Sequence, residues 1–264
     1  MELFIGLDWR GFAENGWSDQ AVAQVVQAFA DGGASGIKFH IGQATTVLYL
    51  NRALGLADDH QFLSDDRLSP VLLKLWELGG VPLIHVGDIP TVSYPADAPP
   101  FWDMDAATYQ HLEQLLNQFA DKPFILAHLG CLAPDLNPYI EVPGAPTDYT
   151  RLRTLLDDHP NLYADTAGIN IVPSRVGLCE EGAQTTRQLI LDYPDRILFG
   201  TDLGPFQKEF PAYEIYHEWL TGSLGQTFRN SYYPDLDIWS LGLEGEVLRD
   251  LYHGNYERIR ASLR

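Results

Sequence analysis

Four short apolar runs each end in a side chain able to hold a metal ion or move a proton. They are Gly36-Ile37-Lys38-Phe39-His40, Pro82-Leu83-Ile84-His85, Phe124-Ile125-Leu126-Ala127-His128 and Ile197-Leu198-Phe199-Gly200-Thr201-Asp202. A neutral imidazole offers a lone pair to a divalent ion and titrates near neutrality, so it suits a ligand or a general acid–base. A carboxylate binds the same ions and orients or deprotonates a bound water. Rigid strands fix the direction of such groups, and in repeating β/α folds the C-terminal ends of parallel strands gather at one mouth. The runs recur roughly 40 to 75 residues apart with helix-like sequence between them, which is the rhythm of β/α units.

Each candidate has a plainer alternative. His85 on its own is more simply a histidine bonded to backbone carbonyls; His128 at the same place on the next strand turns the balance towards function. His128 suits either a metal ligand or the catalytic acid–base. Asp202 follows a weakly polar stretch, where a carboxylate is costly unless paired with metal or donors, although a helix N-cap is the competing role. Lys38 and His40 share a strand face by the period of two and are the candidate substrate-binding pair. Lys38 would hold a substrate carboxylate, bridge metals if carboxylated, or pair with a buried carboxylate such as Asp165. Asp165 itself reads as structural or as orienting a ligand, and Asp8 as fixing the loop after the first strand. Surface positions account for His60, His111, His159, His217 and His253.

The elements that must position these groups follow in order. Strands are expected at Leu3 to Trp9, Ser35 to His40, Val81 to Val86, Pro123 to His128, Asn161 to Asp165 and Arg196 to Thr201. Ser18 should cap a helix with Ala21, Val22, Val25, Val26 and Phe29 at helical spacing, stopping at Gly32-Gly33. Thr45 to Leu50 reads as loop. Asp65-Asp66 opens a helix through Leu78, Asp105 caps another through Phe119, and further helices run from Asp148 to Asp158 and from about Gln184 to Tyr193. A Pro-rich loop from Ile89 to Pro100 should lie over the mouth, and a Pro- and Gly-rich loop runs to Pro146. Residues 203–242 form an aromatic-rich loop or cap without a convincing strand, and 243–263 an amphipathic helix. No linker divides the chain, so 1–264 reads as one domain.

The 264 residues suffice for one large α/β core. A formal net charge of -19 argues against nucleic acid and anionic membrane surfaces as partners, leaving a small-molecule substrate. Cys131 and Cys179 make no disulfide framework, no run approaches a membrane span, and the start lacks a signal peptide, all of which point to the cytoplasm.

Read together, these four runs and a fifth segment, Leu162 to Thr166, resemble the amidohydrolase-related TIM-barrel group, the branch containing aminocarboxymuconate-semialdehyde decarboxylase. Ile84-His85-Val86-Gly87, Leu126-Ala127-His128-Leu129-Gly130, Leu162-Tyr163-Ala164-Asp165-Thr166 and the other two stand in family order, and Gly254-Asn255 looks like the family's closing Gly-Asn helix. The resemblance implies a (β/α)8 barrel and a divalent metal, zinc foremost. It makes His85 and Asp202 metal ligands and His128 either a second metal's ligand or the acid–base. It implies hydrolysis of a small organic substrate; non-oxidative decarboxylation of an aromatic or enoic acid, or a metal-free binding relative, are the alternatives. Leu3 to Trp9 corresponds to the family's third strand. The family's first strand, with its His-x-His ligands, and its second have no counterpart here. An upstream start, loss of the metal, or a partner chain would each account for that, and unpaired sheet edges would favour a homo-oligomer.

Overall fold

The structure, a computed structural model, describes residues 3–42, 44–86, 97–99, 101–131, 149–168, 179–202, 212–229, 234–235 and 237–264. They fall into two compact units: Met1–Cys131 with His159–Leu162 and Ile259–Arg264, and Leu132–Asp158 with Tyr163–Arg258.

In the first unit β1 (Phe4–Ile5) is followed by α1 (Trp17–Ala30), β2 (Gly36–Gly42), α2 (Ala44–Leu54), α3 (Ser69–Glu77), β3 (Val81–Val86), α4 (Phe101–Gln118) and β4 (Phe124–Leu126). The strands pair in parallel in that order, with Phe4 opposite Gly36, Lys38 opposite Leu83 and Ile84 opposite Leu126. β3 is buried at all six positions, as a strand covered on both faces should be. An aromatic cluster of Trp9, Phe12, Trp17, Phe39 and Phe62 packs with ring centroids 4.7–6.4 Å apart. Two polar anchors fix its strands. The Trp76 indole donates to the Pro123 carbonyl just before β4 (3.2 Å), and the Asn161 amide donates to the carbonyls of Leu116, Phe119 and Lys122 at the end of α4.

Several boundaries differ from expectation. β1 is only two residues long. Trp17, after Gly16 at φ 92°, opens α1, and the Ser18 hydroxyl instead donates to the Arg67 carbonyl (2.9 Å). The stretch from Thr45 to Leu50 is helix, not loop: Val47, Leu48 and Asn51 form its buried side, and the Asn51 amide is satisfied by the carbonyls of Asp58 and His60. Asp65 caps a 3-10 turn (Asp66–Leu68), and α3 starts beyond it with Pro70 in its first turn. α4 begins before Asp105, so that residue lies inside it.

In the second unit α5 (Thr150–Asp158), β5 (Leu162–Asp165, which starts in the first unit), α6 (Glu180–Asp192) and β6 (Ile197–Leu198) come first. β5 and β6 are parallel, with Ala164 opposite Ile197. The aromatic-rich region contains α7 (Ala212–Thr221) and a two-stranded antiparallel ribbon, β7 (Thr227–Phe228) with β8 (Ile238–Trp239), where no strand was expected. The closing segment is α8 (Gly245–Arg249), a π-helical turn (Asp250–Gly254) and α9 (Asn255–Ser262) rather than one regular helix. The turn serves β6: the Phe199 N–H donates to the Leu251 carbonyl (2.8 Å), and the buried Asn255 amide donates to the carbonyls of Pro194 (2.9 Å) and Ile197 (2.6 Å).

The loop expected from Ile89 to Pro100, apart from 97–99, lies outside the described residues, as do the Pro- and Gly-rich stretch over 132–148 and Phe206, Phe210, Tyr232 and Tyr233. No helix among the described residues is long and apolar enough to cross a membrane.

Candidate active site

The first unit brings four of the five candidate residues together. β2 turns Ile37, Phe39 and Ile41 into the core, while Lys38 is half-buried and His40 exposed. The register with β3 shifts between Phe39 and Gly42, in the stretch that carries His40. Close approach of the two strands there depends on Gly42, where a Cβ would stand 2.5 Å from the His85 carbonyl oxygen and 2.7 Å from Val86 Cγ2. The His40 and His85 rings lie 5.4 Å apart, and those of His85 and His128 meet edge to face at 4.5 Å. Lys38 Nζ stands 3.3 Å from His128 Nε2. An ammonium has only donors, so the contact uses the imidazole lone pair and leaves the ring proton on Nδ1.

His85 is 6% exposed. Burial, reinforced by the neighbouring basic side chains of His128, Lys38 and His40, pushes its pKa down to about 2, so its imidazole is neutral across the physiological range. His128 is fully buried and sits past the end of its strand rather than on it. The backbone after Leu126 turns left-handed: φ is 56° at His128, 50° at Leu129 and 79° at Gly130. Each non-glycine residue held there costs roughly 1–2 kcal/mol, a strain that commonly accompanies functional sites. The turn is pinned by Gly130 N–H to the Ala127 carbonyl (2.9 Å) and by the Tyr109 hydroxyl on α4, which donates to the Gly130 carbonyl (3.1 Å). Tyr109 and Gly42 are supporting residues that sequence reasoning missed. A glycine beside a strand end was the only signal for the second.

Asp202 belongs to the second unit and shares the backbone feature: its φ is 57°. It and His128 are two of the four non-glycine residues with positive φ among the described residues, the others being Leu129 and Tyr149. Asp202 is exposed, so the desolvation cost expected for its carboxylate does not arise. β6 stops at Leu198, and the run up to Asp202 is held by Gly200 N–H against Thr166 Oγ1 (3.5 Å) and by Gly168 N–H to the Thr201 carbonyl (3.4 Å). At the end of β5, Asp165 is buried, accepts from Ala167 N–H (3.1 Å), and lies so close to Gly200 that a Cβ there would be 3.2 Å from its Oδ2.

Other expectations divide. Asp8 fixes its loop through the Arg10 backbone N–H (3.0 Å) and guanidinium. His159 is buried at 7% exposure, and His60 is half-buried 3.3 Å from Asp65, so the surface reading fails for both; His217 and His253 are exposed as expected. Imidazoles gathered at strand ends are the kind of donor a divalent ion requires. The described residues nevertheless contain no group of three His, Cys, Asp or Glu side chains placed to hold one, and Lys38 faces the Nε2 lone pair of His128. The donor set is therefore partial and does not by itself fit a tightly held ion.

Parallel strands alternating with helices, with imidazoles at the strand ends, define a TIM-barrel-like α/β protein. The family model described as Amidohydrolase matches residues 10–259, and the chain belongs to that family. Its members generally bind a divalent metal. Among solved structures, 2,6-dihydroxybenzoate decarboxylase from Rhizobium is similar at TM-score 0.52 and 17% identity, covering 98% of this chain and 71% of that one. An amidohydrolase from Burkholderia multivorans with bound HEPES is similar at 0.52 and 15%, covering 90% and 69%. 4-Oxalomesaconate hydratase from Rhodopseudomonas palustris is similar at 0.51 and 18%, covering 92% and 61%. At these identities the likeness is one of fold. No curated protein matches the chain in sequence.

Proposed function

We propose that this chain is a hydrolase acting on a small organic substrate bearing a carboxylate or carbonyl group, with the cluster of Lys38, His40, His85 and His128 as its acid–base centre. The observation that carries the reading is the contact between Lys38 Nζ and His128 Nε2, a cation on β2 and a proton carrier just past β4 brought side by side across β3 of the parallel sheet. Lys38 and His40 hold the anionic or carbonyl oxygen of the substrate, which supplies locally the positive charge that the chain's net charge of -19 does not. His128 takes a proton from the attacking water and returns it to the leaving group. His85, neutral and buried against its ring, keeps it oriented. By resemblance to the family alone, Asp202 is the proposed carboxylate that orients the water.

Zinc is the proposed cofactor, with His85, His128 and Asp202 as its donors by resemblance to the family; a bound divalent ion would polarise the carbonyl and acidify water. Because the donor set gathered around His85 is partial, no step above is routed through it. The proposed partners are otherwise small molecules, and the proposed compartment is the cytoplasm.

Decarboxylation is the second reading, favoured by the same Lys38–His128 pair: the ammonium would anchor a carboxylate next to a group able to protonate carbon. A panel of lactones, amides and aromatic or enoic acids, assayed with added Zn, Mn or no metal, separates the two. Hydrolysis incorporates one oxygen from labelled water into product, whereas decarboxylation releases carbon dioxide. In either case Lys38→Met and His128→Asn should lose most turnover while remaining folded. Wild-type turnover in both variants would overturn the assignment.

A further inference from the structure

β1 is the edge strand of its unit among the described residues, and its outward side is not bare. The Ser35 N–H donates to the Leu3 carbonyl (2.8 Å), and Phe4 and Ile5 stand opposite Gly36 and Ile37. The peptide groups of Leu3 and Ile5 therefore face β2, and by strand alternation those of Phe4, Gly6 and Asp8 face the other way. One residue of a further parallel strand, set opposite Leu7, would send its N–H to the Gly6 carbonyl and receive the Asp8 N–H on its own carbonyl.

The side chain of Gln24, on α1, makes that same pair of bonds. Its Nε2 donates to the Gly6 carbonyl (3.2 Å) and its Oε1 accepts from the Asp8 N–H (3.1 Å). A carboxamide presents one donor and one acceptor in the geometry of a peptide group, so a glutamine is suited to stand in for a strand residue. Two further features blunt the same edge: β1 is two residues long, and the exposed Asp8–Arg10 ion pair (2.6 Å) follows it immediately. Gly6 and Asp8 are both exposed.

We propose that Gln24 is an edge guard: its carboxamide occupies the hydrogen-bonding position of the next strand and keeps the outer edge of β1 from pairing with a second copy of this chain. The inference is independent of the activity. In Gln24→Leu the Gly6 carbonyl and Asp8 N–H lose their partner and become a template for β-pairing. Light scattering of the full chain over a hundredfold range of concentration should then show the average mass of the variant rising at least twofold above that of the wild type, with an unchanged far-ultraviolet circular dichroism spectrum. Hydrogen exchange at the Asp8 amide should be tenfold or more faster than wild type in dilute variant and slow again as it associates. Equal masses at every concentration, or association that leaves Asp8 exchange unchanged, would overturn the proposal. Should Gln24→Leu not fold, Gln24→Asn, one methylene too short to reach both groups, carries the same expectation and the same refutation.

Discussion

Acidification should expose His85 as a built-in cost of this site. Its pKa falls from 6.5 to about 2 in the folded state because burial and the neighbouring positive groups disfavour its charge, so its contribution to stability is fully present above pH 6.5 and is lost as pH falls towards the folded value. Each pH unit below 6.5 then removes about 1.4 kcal/mol, and moving from about pH 7 to about pH 4.5 removes roughly 3 kcal/mol. Replacing His85 by Gln keeps a buried polar side chain but cannot take up the proton. Guanidinium unfolding of chelator-treated wild type and His85→Gln at both pH values gives the comparison. The variant should be the less stable near pH 7, and its deficit should shrink by roughly 3 kcal/mol near pH 4.5. The lowered pKa of His60 acts in the same direction in both proteins and cancels in the difference. Deficits that agree within about 0.5 kcal/mol at the two pH values would refute the burial argument.

Other perturbations test the parts around it. Gly42→Ala puts a Cβ 2.5 Å from the His85 carbonyl and should cost about 1–3 kcal/mol, read by guanidinium unfolding. Tyr109→Phe removes the donor to the Gly130 carbonyl; a loss of about 1 kcal/mol, seen as a fall of a few degrees in Tm, is expected. Asp202→Gly relieves a left-handed backbone at an exposed position, so the protein should keep its stability or gain up to about 1 kcal/mol while turnover is lost. Asn255→Ala leaves the carbonyls of Pro194 and Ile197 without their donor and should cost on the order of 3 kcal/mol by the same unfolding assay.

The β/α rhythm and the strands carrying Lys38, His40 and His85 were legible in the sequence because period-two and period-3.6 apolar patterns are local. What escaped was set by contacts distant in sequence. α2 extends beyond the expected loop of Thr45 to Leu50, and its buried face takes in Asn51, whose polarity is met only by the carbonyls of Asp58 and His60 further along the chain. β4 and β6 end early, the first in the left-handed turn at His128, the second because Phe199 donates to Leu251 in the closing segment. That Lys38 meets His128 depends on the registers of three strands, which no single stretch of sequence contains. The family resemblance supplied the order of the runs, and the match over residues 10–259 bears out the membership.

The central claim is that Lys38 and His128 work as one unit in catalysis, and a double-mutant cycle on the best substrate of the panel tests it most directly. If they do, Lys38→Met and His128→Asn each lower kcat/KM steeply, and the double variant is no worse than the poorer single variant within a factor of about 3. Multiplicative losses, or a single variant as active as the wild type, would contradict it.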